Sequence, residues 1–307
     1  MTVFELPDVR DIVSLALAED LGVPATRFAR GAAPSSDLLA QDVTSFSAIG
    51  PDARFEGRIV AHQRCVVAGL PVVQAVFEVL STAAGLFEPI DVFPLVAEGA
   101  RIQAGTPVLE IEGVAAAVLG GERTALDFLM MLSGIATETA AWVKEAGPRL
   151  SVCDTRKTVP GLRGISKYAV AVGGGINHRA GLFDMALLKD NHIARGDGIT
   201  AAVESIRLAH PHLLIEVEAE TLAQAIEAVE AGADLVLLDN MSDTLLAEAV
   251  LEISQRAEEL GRSVLTEASG GIRRDRLPAL RAAGVDRVSS SALTMGVSAV
   301  DFGLDAI

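Results

Sequence analysis

Between Asp154 and Lys189 the chain carries six basic residues, Arg156, Lys157, Arg163, Lys167, Arg179 and Lys189, against two acids, Asp154 and Asp184, although its 307 residues have a formal net charge of -16. Positive charge gathered in one segment of an acidic chain suits a local anion. The planar fork of Arg156 fits a carboxylate and the Lys157 ammonium fits a phosphate, although a solvated loop pair would read the same way. Asn177, His178 and Arg179 follow three glycines, Gly173 to Gly175, whose missing side chains would let backbone amides approach an anion; a plain glycine turn is the alternative. Lys189 ends the apolar run ALLK, where it could face an anion or, with its basicity lowered by nearby cations, form a Schiff base. His192 reads as a helix cap or turn residue without a catalytic role.

Acids follow further along. Glu218 and Asp239 end successive apolar runs, and Glu216 shares the face of its strand with Glu218. Two acids near several cations suit a ligand of mixed character, with hydroxyls or Mg2+ on the acidic side and phosphates or carboxylates on the basic side, unless they are structural ion pairs. Ser269, Gly270 and Gly271 precede a helical stretch, so free amides at a helix start could hold a phosphate. Ser290 and Ser291 end the last run of this kind.

These residues need a frame that brings strand ends together. From LSVCD onward, apolar strands (ALLKD, LLIEVEAE, LVLLDN, SVLTEASGG, DRVSSSALT) alternate with helical stretches such as TLAQAIEAVEAG, the texture of parallel βα units. In a β/α barrel all strand C-termini converge on one mouth, which would place the cations and the acids in one site. An open doubly wound sheet competes, but the first βα turn lacks a GxGxxG fingerprint. Upstream, helical spacing over Asp11–Leu21 predicts a short helix, and Val23 to Gln41 reads as a loop. Residues 55–113 read as a small α+β region, and GGERTALDFLMMLSGIATETAAWVKEAG as a long helical pattern, two helices if it breaks near Ser133 and Gly134.

Composition narrows the partners. An acidic chain lacks the broad basic face of a nucleic-acid binder. The start, MTVFELPDVRDI, has no basic segment leading into an apolar core, and no later uninterrupted apolar run approaches the roughly 18 residues of a bilayer span, so the expectation is a cytoplasmic protein without membrane contact. Cys65 and Cys153, the only cysteines, have neither CxxC nor Cys/His spacing and read as buried small hydrophobes.

Together the motifs resemble the quinolinate phosphoribosyltransferases, the carboxylating nicotinate-nucleotide pyrophosphorylases. The matching pieces run in order over nearly the whole chain: AEDLG at 18–22, DVTS at 42–45, GERTALDFLMMLSGIAT at 121–137, CDTRKTVPGLR at 153–163, KYAV at 167–170, GGGINHRAGL at 173–182, LLKDNHI at 187–193, EVEAET at 216–221, LVLLDNM at 235–241 and EASGGI at 267–272. The resemblance implies an N-terminal open-faced α/β sandwich, about residues 1–128, and a C-terminal seven-stranded β/α barrel, about 129–307, with the final residues returning to the N-terminal domain. It implies a homodimer with a shared active site, possibly assembled into a hexamer. The reaction implied joins quinolinate to phosphoribosyl pyrophosphate with Mg2+, giving nicotinate mononucleotide, pyrophosphate and carbon dioxide in NAD biosynthesis.

By the same resemblance, Arg156, His178, Arg179 and Lys189 bind quinolinate together with the partner subunit's Arg123. Lys157, Glu218, Asp239, Ser269, Gly270, Gly271, Ser290 and Ser291 hold phosphoribosyl pyrophosphate, and Glu218, Asp239, Lys157 and Lys189 carry the chemistry. No direct protein ligand to Mg2+ is assigned, with Glu218 and Asp239 nearby. Three departures stand out: the insertion at Val23–Gln41, Val159 where the family has a threonine, and SSSALTM at 289–295, where Ser291 replaces a glycine and Met295 a histidine. The rival readings are a phosphoribosyltransferase for another pyridine acid without decarboxylation and a non-catalytic homologue that binds an anionic metabolite.

Overall fold

The structure, a computed structural model, describes residues 5–50 and 52–307. Its strands in chain order are β1 (Arg54–Ala61), β2 (Cys65–Val66), β3 (Asp91–Pro94), β4 (Arg101–Ile102), β5 (Pro107–Val114), β6 (Ser151–Cys153), β7 (Ala186–Leu188), β8 (Ile215–Ala219), β9 (Leu235–Asp239), β10 (Leu265–Ser269), β11 (Arg287–Ser289) and β12 (Phe302–Ala306). Its helices are α1 (Arg10–Asp20), α2 (Val43–Ala48), α3 (Leu70–Ala84), α4 (Ala115–Ala146), α5 (Arg163–Val172), α6 (Asp190–Arg195), α7 (Gly198–Ala209), α8 (Leu222–Ala231), α9 (Asp243–Glu259) and α10 (Leu277–Ala282). The chain forms two compact units that interleave in sequence. Among the described residues, one comprises those from Glu5 to Glu138, Pro160–Gly173 and Val297–Ile307; the other comprises Thr139–Val159 and Gly174–Gly296.

The first unit is an α/β sandwich. Its antiparallel sheet has the order β12-β1-β5-β3, and β12 pairs back onto β1 from the far end of the sequence. Ile59, Leu109 and Ile111 of the sheet, Val73, Phe77 and Leu80 of α3 and Leu126, Leu129 and Leu132 of α4 are all buried. The expected loop from Val23 to Gln41 is an ordered part of this core. Two 3-10 turns, Ala25–Phe28 and Ser36–Gln41, bury Phe28 and Leu38, and the Ser35 N–H donates to the Ala83 carbonyl at 2.8 Å.

Helix α4 runs unbroken for 32 residues, where the sequence suggested a break at Ser133 and Gly134. Both small residues serve packing instead. The Ser133 hydroxyl accepts from the Ala68 N–H at 3.0 Å, and a Cβ on Gly134 would collide with the Ser298 carbonyl where the chain crosses the helix. Among the described residues α4 alone is long and apolar enough to cross a membrane, with a mean hydropathy of 1.2 over its best window. That amends the expectation of no span-length apolar segment. Because 61% of the window is buried inside the protein, the apolarity is that of a core helix.

The second unit is a parallel β/α array with ladder order β6-β11-β10-β9-β8-β7. A parallel bridge from Cys153 to Ile176 adds a one-residue seventh position beside β6. Neighbours are therefore consecutive in sequence except that the first strand pairs with the last, which is the cyclic order of a β/α barrel. An open doubly wound sheet would instead reverse its order part-way. Caps set the crossover helices. The Thr221 hydroxyl accepts from the Gln224 N–H at 3.2 Å to start α8, Gly232 ends it at φ 102, and the Ser242 hydroxyl starts α9.

Candidate functional site

The strand C-termini of the second unit surround one cavity of about 760 Å³. Arg156, Lys157, His178, Arg179, Lys189, Glu218, Asp239, Ser269, Gly270, Gly271, Ser290 and Ser291 all line it. Followed round the cyclic strand order, their chemistry is sorted. Cations follow β6 (Arg156, Lys157), the Ile176 bridge (His178, Arg179) and β7 (Lys189). Acids end β8 (Glu218) and β9 (Asp239), and small hydroxyl and glycine residues follow β10 and β11. Lys157 stands where the circle closes on the hydroxyl side, since the Thr294 hydroxyl, just past β11, donates to its carbonyl at 2.7 Å. The gap between Ile176 and β7 is crossed by Arg179, whose Nη1 donates to the Met185 carbonyl at 3.4 Å.

Two features set the electrostatics of the cavity. Arg179 has its basicity lowered, first by burial and then by the charge of Arg156, so two guanidiniums are held close enough to repel. At the junction of the cationic and acidic sectors the Lys189 ammonium is hydrogen-bonded to the Glu218 carboxylate, with Glu218 the more buried of the two.

The hydroxyl and glycine sector is shaped by backbone. Asn240 follows β9 in the left-handed region at φ 54, a conformation that asparagine tolerates better than most residues. Its amide nitrogen donates to Asp239 Oδ2 at 2.6 Å and its backbone N–H to the Ser269 carbonyl at 3.1 Å. Gly270, at φ 91, has no room for a side chain: a Cβ would lie 2.8 Å from the Asn240 backbone nitrogen and closer to its side chain. Around Gly271, at φ 56, there is open space. The Ser290 hydroxyl accepts from the Ala292 N–H at 3.2 Å and donates to the Ile272 carbonyl at 3.4 Å, which fixes the turn bearing Ser291.

This arrangement can be set beside known proteins. The sequence pattern described as "Quinolinate phosphoribosyl transferase, C-terminal domain" matches residues 135–305, and its N-terminal counterpart matches residues 42–133. The chain belongs to the quinolinate phosphoribosyl transferase family. It is 36% identical over 302 residues to the nicotinate-nucleotide pyrophosphorylase [carboxylating] of Mycobacterium leprae, covering 98% of each chain. With a probable enzyme of the same description from Bacillus subtilis it shares 39% identity over 272 residues, 88% of this chain and 89% of that one. Among solved structures it is similar to NadC from Streptococcus pyogenes, with a TM-score of 0.83 and 35% identity over 100% of this chain and 99% of that chain.

Within this quinolinate phosphoribosyl transferase chain, other residues singled out in the sequence lie outside the cavity lining. Arg123, on α4 of the first unit, is exposed, faces Asp127 at 3.4 Å and is not among the cavity-lining residues. Gly173 to Gly175 end α5 and lead into the Ile176 bridge rather than lining the cavity. His192 is a cap, its Nδ1 accepting from the Lys189 N–H at 2.9 Å. Cys65 and Cys153 are both buried as free thiols.

The sequence reading missed Asn240, Asp154, Glu267 and Arg287. Asp154 is fully buried; its Oδ1 accepts from the His178 N–H at 2.9 Å and its Oδ2 from the Asn177 amide at 2.6 Å. Beneath the cavity His178 Nε2 lies 2.9 Å from Glu216 and 3.5 Å from Glu267, and the Arg287 guanidinium lies 3.8 Å from the other oxygen of Glu267. One ligand-type atom from each of His178, Glu216 and Glu267 falls within 4.8 Å of the others, a grouping of a kind that can hold a metal ion. The signal was legible only in part: polar residues two positions before a strand-end polar residue share its face, as Glu216 with Glu218, Glu267 with Ser269 and Arg287 with Ser289.

Proposed function

We propose that this chain transfers the phosphoribosyl group of phosphoribosyl pyrophosphate to quinolinate with decarboxylation, yielding nicotinate mononucleotide, pyrophosphate and carbon dioxide, and that the strand-end cavity is where it does so. The observation that carries the reading is the sorted order of chemistry around the cavity. Three cationic strand ends match a dicarboxylate, two acidic ones match ribose hydroxyls and a metal, and two hydroxyl and glycine turns match phosphate.

In this reading Arg156, His178, Arg179 and Lys189 grip the two carboxylates of quinolinate and present the ring nitrogen to the ribose. Lys157, Ser269, Gly270, Gly271, Ser290 and Ser291 hold the phosphates. The ring nitrogen forms a bond to the anomeric carbon as the bond to pyrophosphate breaks, and Glu218 and Asp239 stabilise positive charge developing on the ribose. The ring, now a pyridinium, accepts the electron pair left when the adjacent carboxylate departs as carbon dioxide, and that carbon takes up a proton. Positioning and fixed charge supply most of the rate. Hard carboxylate oxygens on adjacent strand ends suit the neighbourhood of Mg2+, which would be held mainly by the pyrophosphate with Glu218 and Asp239 nearby and would offset charge on the leaving group. The partner subunit's Arg123 completes the quinolinate site in a homodimer, which could assemble further into a hexamer, and the protein works in the cytoplasm.

The test is a stoichiometry. Purified protein given quinolinate, phosphoribosyl pyrophosphate and Mg2+ should release pyrophosphate and carbon dioxide in equal amounts. Pyrophosphate without carbon dioxide would replace the reading with a non-decarboxylating transfer, and tight binding without turnover would replace it with a binding protein. Mixing inactive Arg123→Ala and Arg179→Ala subunits should restore part of the activity if Arg123 crosses between subunits.

A further inference from the structure

One layer beneath the cavity the barrel interior is ionic where branched apolar side chains ordinarily pack. Glu216, Glu267 and Arg287 project there from β8, β10 and β11; the two glutamates have no solvent exposure and Arg287 has 4%. Burying ions costs several kcal/mol each, and replacing them by apolar residues commonly stabilises a fold, so core stability alone does not explain them. Both carboxylates converge on Nε2 of His178, a side chain that also lines the cavity.

The opposite edge of that ring is fixed too. The Arg179 backbone N–H donates to His178 Nδ1 at 2.8 Å, while Asp154 accepts from the His178 N–H and the Asn177 amide. The turn from Asn177 to Arg179 is thus tied by its backbone to β6 and by its imidazole to β8 and β10. It needs restraint, because Arg179 is held beside Arg156 before any ligand offsets their charges.

We infer that Glu267, acting with Glu216, is a positioning residue of the dicarboxylate subsite: it locks the His178 ring from below, and through it keeps His178 and Arg179 preformed for the carboxylates of the acceptor. The proposal rests on the reaction proposed above. The imidazole stands 2.9 Å from Glu216 and 3.5 Å from Glu267, and the Arg287 guanidinium lies 3.8 Å from the far oxygen of Glu267, so the carboxylates face cationic or proton-bearing groups on two sides.

The experiment compares full-length wild type, Glu267→Gln, His178→Asn and the double variant in steady-state kinetics and in quinolinate binding by calorimetry. For E267Q the quinolinate KM and Kd rise roughly ten- to a hundredfold, the loss typical when the group orienting a ligand-holding side chain is removed. The KM for phosphoribosyl pyrophosphate stays within about twofold, and the double variant binds quinolinate no worse than H178N, since both changes break one linkage. Equal rises in both KM values, additive losses in the double variant, or stoichiometric metal in the wild type that E267Q lacks would each overturn the inference. If E267Q does not fold, E216Q enters the same cycle with the same expectations. Wild-type protein that binds quinolinate without turnover would sink the proposed reaction alone, leaving the calorimetric cycle to judge the brace.

Discussion

The two sheets handle charge in opposite ways. In the antiparallel sheet the ions face solvent across strands: Arg58 sits opposite Glu110 in the β1–β5 register and pairs with it at 2.5 Å, and Arg54 reaches Glu88 at 2.7 Å and Glu112 at 3.0 Å. Such pairs contribute little and can be exchanged freely. In the parallel array Glu216, Glu267 and Arg287 are buried; the two glutamates are aimed at one imidazole and Arg287 at Glu267. Charge placed where it is cheap says little about purpose, whereas charge placed where it is costly marks what the fold must hold still.

Four measurements would break or sharpen that contrast. The largest effect belongs to the cavity rim. Glu218→Gln should lower kcat by about 10²–10³, roughly 2.7–4 kcal/mol of transition-state stabilisation by analogy with fixed oxyanion-hole donors. A loss below tenfold at saturating substrate would remove Glu218 from the chemistry. Next comes Gly270→Ala, which forces a side chain against Asn240 at a positive φ. Left-handed backbone alone costs roughly 1–2 kcal/mol, so the KM for phosphoribosyl pyrophosphate should rise and the unfolding midpoint should fall. A neutral G270A would mean that Asn240 does not hold the turn.

The third is a pH experiment. Burial opposes charge on His178, but hydrogen bonds and fields from Glu216 and Glu267 outweigh it and push the group up to about 10; Glu216 is itself raised, first by burial and then by Glu267. The Arg179 N–H at Nδ1 leaves Nε2 as the ring nitrogen that faces the two carboxylates. A group raised above its unfolded value of ~6.5 stabilises fully below that pH and loses its contribution as pH climbs through about 10. The stability difference between wild type and Glu267→Gln, measured by urea unfolding, should therefore shrink from pH 6.5 toward pH 10. A constant difference would mean that Glu267 does not hold the charged form of His178. The smallest effect is expected at Arg58→Gln, which should leave kcat and both KM values unchanged; a kinetic defect there would end the contrast between the two sheets.

Much of the site was legible because strand periodicity and strand ends are local facts. Arg156, Lys189, Glu218 and Asp239 each close an apolar run, and parallel βα texture implies that such ends meet. Less visible was whatever depends on distant pairing. β3 is a short polar-edged strand, and β12 gains its identity only from β1, 241 residues away at the Ala61–Phe302 pair. Gly134 looked like a helix break because sequence does not reveal the carbonyl that crosses it. The insertion looked like a loop because its few apolar residues, Phe28 and Leu38, lack periodicity yet are both buried. Glu267 could not be assigned because a glutamate inside a strand reads as an exposed position until its partner His178 is in place.

The return of β12 to β1 has a consequence for how the protein is made. On the ribosome β1 can pair with β5 soon after both emerge, but its other edge has no native partner until residues 302–306 are synthesised. At roughly 5–20 residues per second that wait is on the order of ten seconds or more. Throughout it, an apolar strand edge is open to neighbouring nascent chains. Completion of the sandwich is thus timed by translation, and stalled or truncated products should be those most prone to aggregate.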